Sequence, residues 1–227
     1  MLSVSLSLFR SKLLLIDSEN SPHLWTEIFV KKAISAIHLA HSLFLKVSKA
    51  ERPTFLSKFD CKNALPLYSK LVEIAIDEDS TKQDLLFEIL HSFDEEEELP
   101  LNITKTLIHN DFNPRNVAVR KNGEICIYDW ELAVLHYPHR DIIEFLSFTL
   151  PDNFTKEDLF LYLEFHYSMA QTENQNWETW KKGYEITLKE YILSRVLFYS
   201  AAEVVMKLKF ANRVYNNSIR MLEFLKA

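Results

Sequence analysis

The sequence predicts an α+β fold that is mainly helical, on three observations. Apolar residues recur at three- and four-residue spacing over most of the chain, the repeat of a helix that buries one face. Strict alternation is confined to residues 1–9 and 117–128, so strands are few and short. The 227 residues, 48% of them hydrophobic, are enough for one full core and contain no low-complexity tract and no internal repeat.

The elements follow in order. Leu2, Val4, Leu6 and Leu8 alternate with Ser3, Ser5 and Ser7 as a first strand, and Arg10-Ser11-Lys12 turns the chain into a second strand over residues 13–16 that pairs with it. No basic segment precedes this apolar start, so it does not read as a signal peptide. Residues 26–48 form a helix with Ile28, Phe29, Ala33, Ile34, Ile37, Ala40, Phe44 and Val47 on its apolar face. Ser80 and Gln83 read as a capping box for a helix beginning near residue 81, which carries Leu85, Leu86, Ile89, Leu90 and Phe93 and ends in the acidic run 94–98. Asn122-Gly123, between the runs 117–120 and 124–127, predicts a hairpin with a two-residue type I′ turn, because both residues accept positive φ. Thr155 and Asp158 cap a helix through Ala170, one long periodic segment covers residues 177–210, and a short helix over 219–225 closes the chain.

Composition excludes several functions. A formal charge of −6 has the wrong sign for general nucleic-acid binding. Cys61 and Cys126 match no CxxC pattern, which points to two buried thiols in a reducing compartment and hence to the cytoplasm. No apolar run approaches the length of about 20 residues that spans a bilayer, so no membrane partner is expected. With Gly123 and Gly183 the only glycines, neither a G-x-G-x-x-G loop nor a Walker A loop is present.

The informative stretch is His109-Asn110-Asp111-Phe112-Asn113-Pro114-Arg115-Asn116, followed by the hairpin and by Tyr128-Asp129-Trp130-Glu131. It is an H-x-D-x-x-x-x-N pattern with a further Asp 13 positions beyond Asn116. Phosphoryl transfer from ATP needs a loop carboxylate to orient the acceptor hydroxyl, and an Asn with a second Asp to hold magnesium on the phosphates. The hairpin carries the chain away and returns Asp129 beside Asp111 and Asn116, so that hard oxygen donors of the kind magnesium takes converge.

On these residues the chain resembles the aminoglycoside phosphotransferase and choline kinase family, whose members share the protein-kinase-like fold. The match is close over residues 107–148 and loose in the flanking helices. The resemblance implies that Asp111 is the catalytic base, that His109 supports the loop, and that Asn116 and Asp129 hold Mg2+ and with it the ATP phosphates. It also implies that Asp141 fixes the catalytic loop, and that residues 17–21 are the hinge beside the adenine, making Ile16, Asp17 and Ser18 nucleotide contacts. Phe112 and Pro114 fit the motif, whereas Asn110 stands where Gly is commoner, Asn113 where His or Lys is commoner, and Arg115 where Gly or Glu is commoner.

The same resemblance divides the chain into residues 1–20, the remaining strands and hinge of an N-lobe, and residues 21–227, a C-lobe with catalytic loop and metal-binding hairpin at 107–131. Family members cover the phosphates with a glycine-bearing loop and a lysine. Neither is visible here, and Lys12 reads as a surface residue. The expected function is phosphorylation of a hydroxyl on a small molecule, with a partner or upstream segment supplying the N-lobe. The alternative is an inactive kinase-like remnant or subunit that acts as a binding module. The run 94–98 would suit a cationic acceptor, but a solvated loop is the simpler reading. His38 and His41 share a helix face without an evident carboxylate or Cys to complete a metal site. His136 and His139 read as loop or packing residues, and Trp177, Trp180 and Tyr184 as core rather than a substrate pocket.

Overall fold

The computed structural model describes residues 13–14, 22–48, 52, 62–78, 80–93, 103–170 and 176–227. The first expected strand, Lys12, the hinge with Ile16, Asp17 and Ser18, Cys61 and the acidic run 94–98 lie outside the described residues.

Helix α1, Glu27–Lys46, buries Val30, Ala33, Ile34, Ile37, His41 and Phe44, a stripe at helical spacing. Ile28, expected on that face, is 67% exposed, and the polar His41 takes a core position instead. Contrary to the expectation that no run is long enough, α1 is one helix that could cross a membrane by length and composition alone. Its buried stripe packs against strands and helices of the fold, as a core helix does. Helix α2, Leu65–Glu78, was not anticipated; it buries Tyr68, Val72 and Ala75, at helical spacing. Before helix α3, Gln83–His91, the expected capping box gives way to a 3-10 turn, Ser80–Lys82, with Lys82 at the cap and no side-chain cap bond.

Two small sheets frame the central loop. Strands β2, Thr106–Ile108, and β5, Val134–His136, pair antiparallel, with Ile108 opposite Val134. Strands β3, Val117–Arg120, and β4, Ile125–Ile127, form the expected hairpin. Its turn differs from expectation: Gly123 has φ +81° and Asn122 has no positive φ, while the Gly123 N–H bonds Arg120 O at 2.8 Å. This is a three-residue loop with one left-handed glycine, and it closes the hairpin without placing Asn122 in a strained conformation. Strand β1, Leu13–Leu14, joins the sheet through β3, with Leu13 opposite Arg120.

The remaining helices build the core. Helix α4, His139–Thr149, has every residue buried and packs on α1, on α6 (Trp177–Tyr191) and on α8 (Ala211–Lys226). Helix α5, Lys156–Ala170, starts on the expected reciprocal cap, with the Thr155 N–H on Asp158 Oδ2 at 2.8 Å and the Asp158 N–H on Thr155 Oγ1 at 3.2 Å. The long segment predicted over 177–210 is divided. A π-helical turn, Ile192–Val196, follows α6, helix α7 covers Leu197–Met206, and the left-handed Lys207, φ 52°, ends it. Helix α8 begins eight residues before the expected 219, and within it Asn217 donates to Ser147 O and Leu150 O at 3.1 and 3.0 Å, satisfying carbonyls at the end of α4.

Candidate active site

Strand β2 delivers the chain to His109, and the next residues turn back within one short loop. Pro114 opens a 3-10 turn, Pro114–Asn116, where its missing N–H forfeits no bond. Asn113 caps that turn, its Oδ1 accepting the Arg115 N–H at 3.1 Å. The turn folds Asn116 onto Asp111: Asn116 Nδ2 donates to Asp111 Oδ2 at 2.7 Å and to Asp111 O at 2.9 Å. Asn113 Nδ2 donates to the other carboxylate oxygen, Asp111 Oδ1, at 3.0 Å, so two amides hold the carboxylate in one orientation.

Beneath the loop lies a buried anchor. Asp141, fully buried on α4, accepts the His109 N–H on Oδ2 at 2.8 Å, the Asn110 N–H on Oδ1 at 2.9 Å, and His41 Nε2 on Oδ2 at 2.9 Å. Burial alone would raise this carboxyl, yet the hydrogen bond and charge of His41, with the His109 N–H, hold it below the usual carboxylate range. His41 is thus committed to Asp141, and its pairing with His38 as metal ligands is not what the structure shows. Asn110 has φ 59°, which explains a site where glycine is the commoner residue: Asn tolerates the left-handed region. Its Nδ2 donates to Leu132 O at 3.1 Å, and Arg195 Nη2 donates to Asn110 O at 2.9 Å.

The hairpin returns Asp129 to this loop through the backbone. His109 Nε2 donates to Tyr128 O at 2.8 Å, which sets the ring tautomer, and the Tyr128 N–H donates to Asn116 O at 3.1 Å. The Tyr128 hydroxyl donates to Arg115 O. Asp129 then adopts φ 66° and ψ 59°, and its exposed carboxylate makes no hydrogen bond or ion pair among the described residues. Asn116, with Nδ2 turned to Asp111, keeps Oδ1 open in the same sense. These two oxygen donors fit a hard divalent cation. Among the described residues no group of three or more His, Cys, Asp or Glu side chains is placed to hold a metal.

Two participants were missed from the sequence. Glu144, on the α4 turn after Asp141, is fully buried and accepts from Asn113 Nδ2 at 3.2 Å, so Asn113 bridges it to Asp111. Burial raises its carboxyl to about 7, opposed by Arg195 and Arg140 and reinforced by the charge of Asp111. Arg195 sits in the π-helical turn that interrupts the long helix. A lone acid inside Ile142-Ile143-Glu144-Phe145-Leu146 was the available signal for the first, and none was available for the second. The other histidines pack as expected: His136 bonds Glu190 at 2.6 Å, and His139 lies 4.2 Å from Trp180 and 4.6 Å from Tyr184, ring centre to ring centre. Trp180 and Tyr184 are core. Cys126 is a free, half-buried thiol rather than a fully buried one.

Comparison with known proteins places the fold and the family. A search of curated proteins finds no match. Among solved structures the chain is similar to the choline kinase LicA from Streptococcus pneumoniae, at 14% identity over 86% of this chain and 63% of that one, TM-score 0.51. It is similar to the GDP complex of aminoglycoside 2′-phosphotransferase-IIIa, at 14% identity over 90% of this chain and 67% of that one, TM-score 0.58. It is also similar to the AMP-bound spectinomycin phosphotransferase APH(9)-Ia, at 12% identity over 92% of this chain and 69% of that one, TM-score 0.59. The chain spans about two thirds of the length of these structures, and the likeness shows a protein-kinase-like fold. A family model described as the phosphotransferase enzyme family, APH, matches residues 48–175, more than half of the sequence. By that match, over a span that contains the Asp111 loop and the Asp129 hairpin, the chain belongs to the phosphotransferase enzyme family.

Proposed function

We propose that the chain transfers the terminal phosphoryl group of Mg-ATP to a hydroxyl of a small molecule, with Asp111 as base and with Asn116 and Asp129 on the metal. The observation that carries the reading is the pairing of an oriented carboxylate with an open one: Asp111 held by Asn113 and Asn116, and Asp129 exposed and unpaired among the described residues. Asp111, with one oxygen on each amide, retains lone pairs to accept a hydrogen bond from an acceptor hydroxyl and then its proton. Asp141 fixes the backbone just before that carboxylate through the His109 and Asn110 N–H groups, and His109 ties the loop to the hairpin at Tyr128 O. Asn116 Oδ1 and the Asp129 carboxylate would hold the cation, with phosphate oxygens and water completing its shell. Magnesium, when bound, neutralises phosphate charge and orients the terminal phosphoryl group.

The roles predict different losses. Asp111→Asn should lower the single-turnover rate by about two orders of magnitude or more with little change in Mg-ATP affinity, because a base acts mainly in the reacting complex. Asp129→Asn should weaken both, since a metal ligand also holds the nucleotide in the ground state. Calorimetry and single-turnover measurements with a panel of hydroxyl compounds test this, and equal losses of affinity in both variants would reverse the assignment. If neither variant changes any rate, the chain is the inactive binding module instead.

A further inference from the structure

Arg115 is fixed beside the Asp111 carboxylate by more contacts than an exposed loop arginine needs. Its Nε donates to Asn113 Oδ1 at 3.1 Å, and the guanidinium carbon lies 5.4 Å from the ring centre of Phe210 and 5.9 Å from that of Phe148. Nη2 is 3.9 Å from Asp111 Oδ1, and the side chain is 37% exposed. Such a stacked, anchored guanidinium loses little further freedom when it meets an anion.

The charge balance around Asp111 gives this placement a purpose. A phosphoryl group arriving at the base brings negative charge spread over three oxygens toward a carboxylate that is already negative. Asn113 is neutral and turned inward to Glu144, and Arg195 donates to Asn110 O. Among the described residues, Arg115 forms the ion pair made by Asp111. A guanidinium fork there meets two oxygens at once, which a point charge does not do.

We propose that Arg115 contacts the terminal phosphoryl group of the bound nucleotide, supplying a cation beside the base. This rests on the phosphotransferase reading above. It makes Arg115 a residue that distinguishes a nucleoside triphosphate from the diphosphate, since only the former carries the group it meets.

The test is calorimetric binding of Mg-ATP and Mg-ADP to the full chain and to Arg115→Gln and Arg115→Lys, with thermal melts to verify folding. The wild type should favour the triphosphate by about tenfold, the worth of one charge-assisted hydrogen bond. Arg115→Gln should bring the ratio near one while leaving Mg-ADP affinity within about twofold, and Arg115→Lys should retain part of the preference. A ratio that Arg115→Gln leaves unchanged, or a matched loss for both nucleotides, overturns the assignment while leaving the phosphotransferase reading in place. Failure of the wild type to bind either nucleotide overturns both.

Discussion

Two of the buried polar clusters among the described residues resolve the same problem in opposite ways. Around Asp141 a charged group is buried with both carboxylate oxygens hydrogen-bonded, to His41 and to the backbone of His109 and Asn110. Around His139 a polar ring is buried among Trp180, Tyr184 and His166, and its two ring nitrogens make no well-formed hydrogen bond. Burial there pushes the His139 imidazole down to about 3, with the nearby His136 and His41 adding to the effect, although the Trp180 backbone favours a proton slightly. The first cluster keeps its charge and uses it to hold a loop. The second stays neutral and serves as packing, with the Tyr184 hydroxyl donating to Leu163 O and accepting from His166 and Trp180. Hydrogen-bonded charge marks the site, and uncharged, close-packed imidazole marks the core behind it.

The largest expected effect tests the first cluster. Asp141→Ala would leave two buried N–H groups and His41 without their acceptor, and should cost about 3–5 kcal/mol in urea denaturation. Asp141→Asn, which keeps one acceptor oxygen, should cost less. If the alanine variant is as stable as the wild type, the loop is not held from below.

A smaller effect, spread over pH, separates the clusters by sign. His139 has a folded pKa below its unfolded value, so the unfolded chain takes up the proton first. The stability it contributes is complete above pH 6.5 and is lost at about 1 kcal/mol per pH unit as pH falls toward 3. Glu144 has a raised folded pKa, so its contribution is complete below pH 4.5 and is lost as pH rises through about 7. Asp141, lowered, contributes above the ordinary carboxyl value of 3.8 and loses that only in stronger acid. Unfolding free energies measured from pH 4 to 8 should lose their acid slope in His139→Phe and their neutral slope in Glu144→Gln. The same slopes in both variants would mean that neither group is buried as described.

The smallest effect tests the packing of the second cluster. Ala is ordinarily favoured over Gly inside a helix by about 1 kcal/mol. At Gly183 on α6, however, an added Cβ would lie 2.8 Å from His139 Nε2, closer than real contacts allow. Gly183→Ala should therefore destabilise by about 1–3 kcal/mol despite the better helix former. A rise in melting temperature would show that the imidazole has room to move.

Much of this was legible from residue order, and what was not has a common cause. The Asp111–Asn116 contact was readable because both residues sit in one short loop, and the hairpin because Asn122-Gly123 announces it locally. The family likeness rested on the same stretch and is shown by the family model. The β2–β5 pair, the joining of β1 to β3, and helix α2 were missed, the two pairings because each joins segments far apart in the chain. Glu144 and Arg195 were missed for the same reason: they approach the loop only after α4 and the π-helical turn pack beside it.

The sequence by itself determined the helical periodicities, the short hairpin and the spacing of Asp111, Asn116 and Asp129, because these depend on backbone geometry over a few residues. Only the tertiary structure decided which polar side chains are charged and which are neutral. Asp141 and His139 are buried titratable groups on one helix; the first accepts from His41 and two backbone N–H groups, and the second faces Trp180 and Tyr184. A titratable group takes its charge from what packs against it, and no spacing along the chain specifies that neighbour.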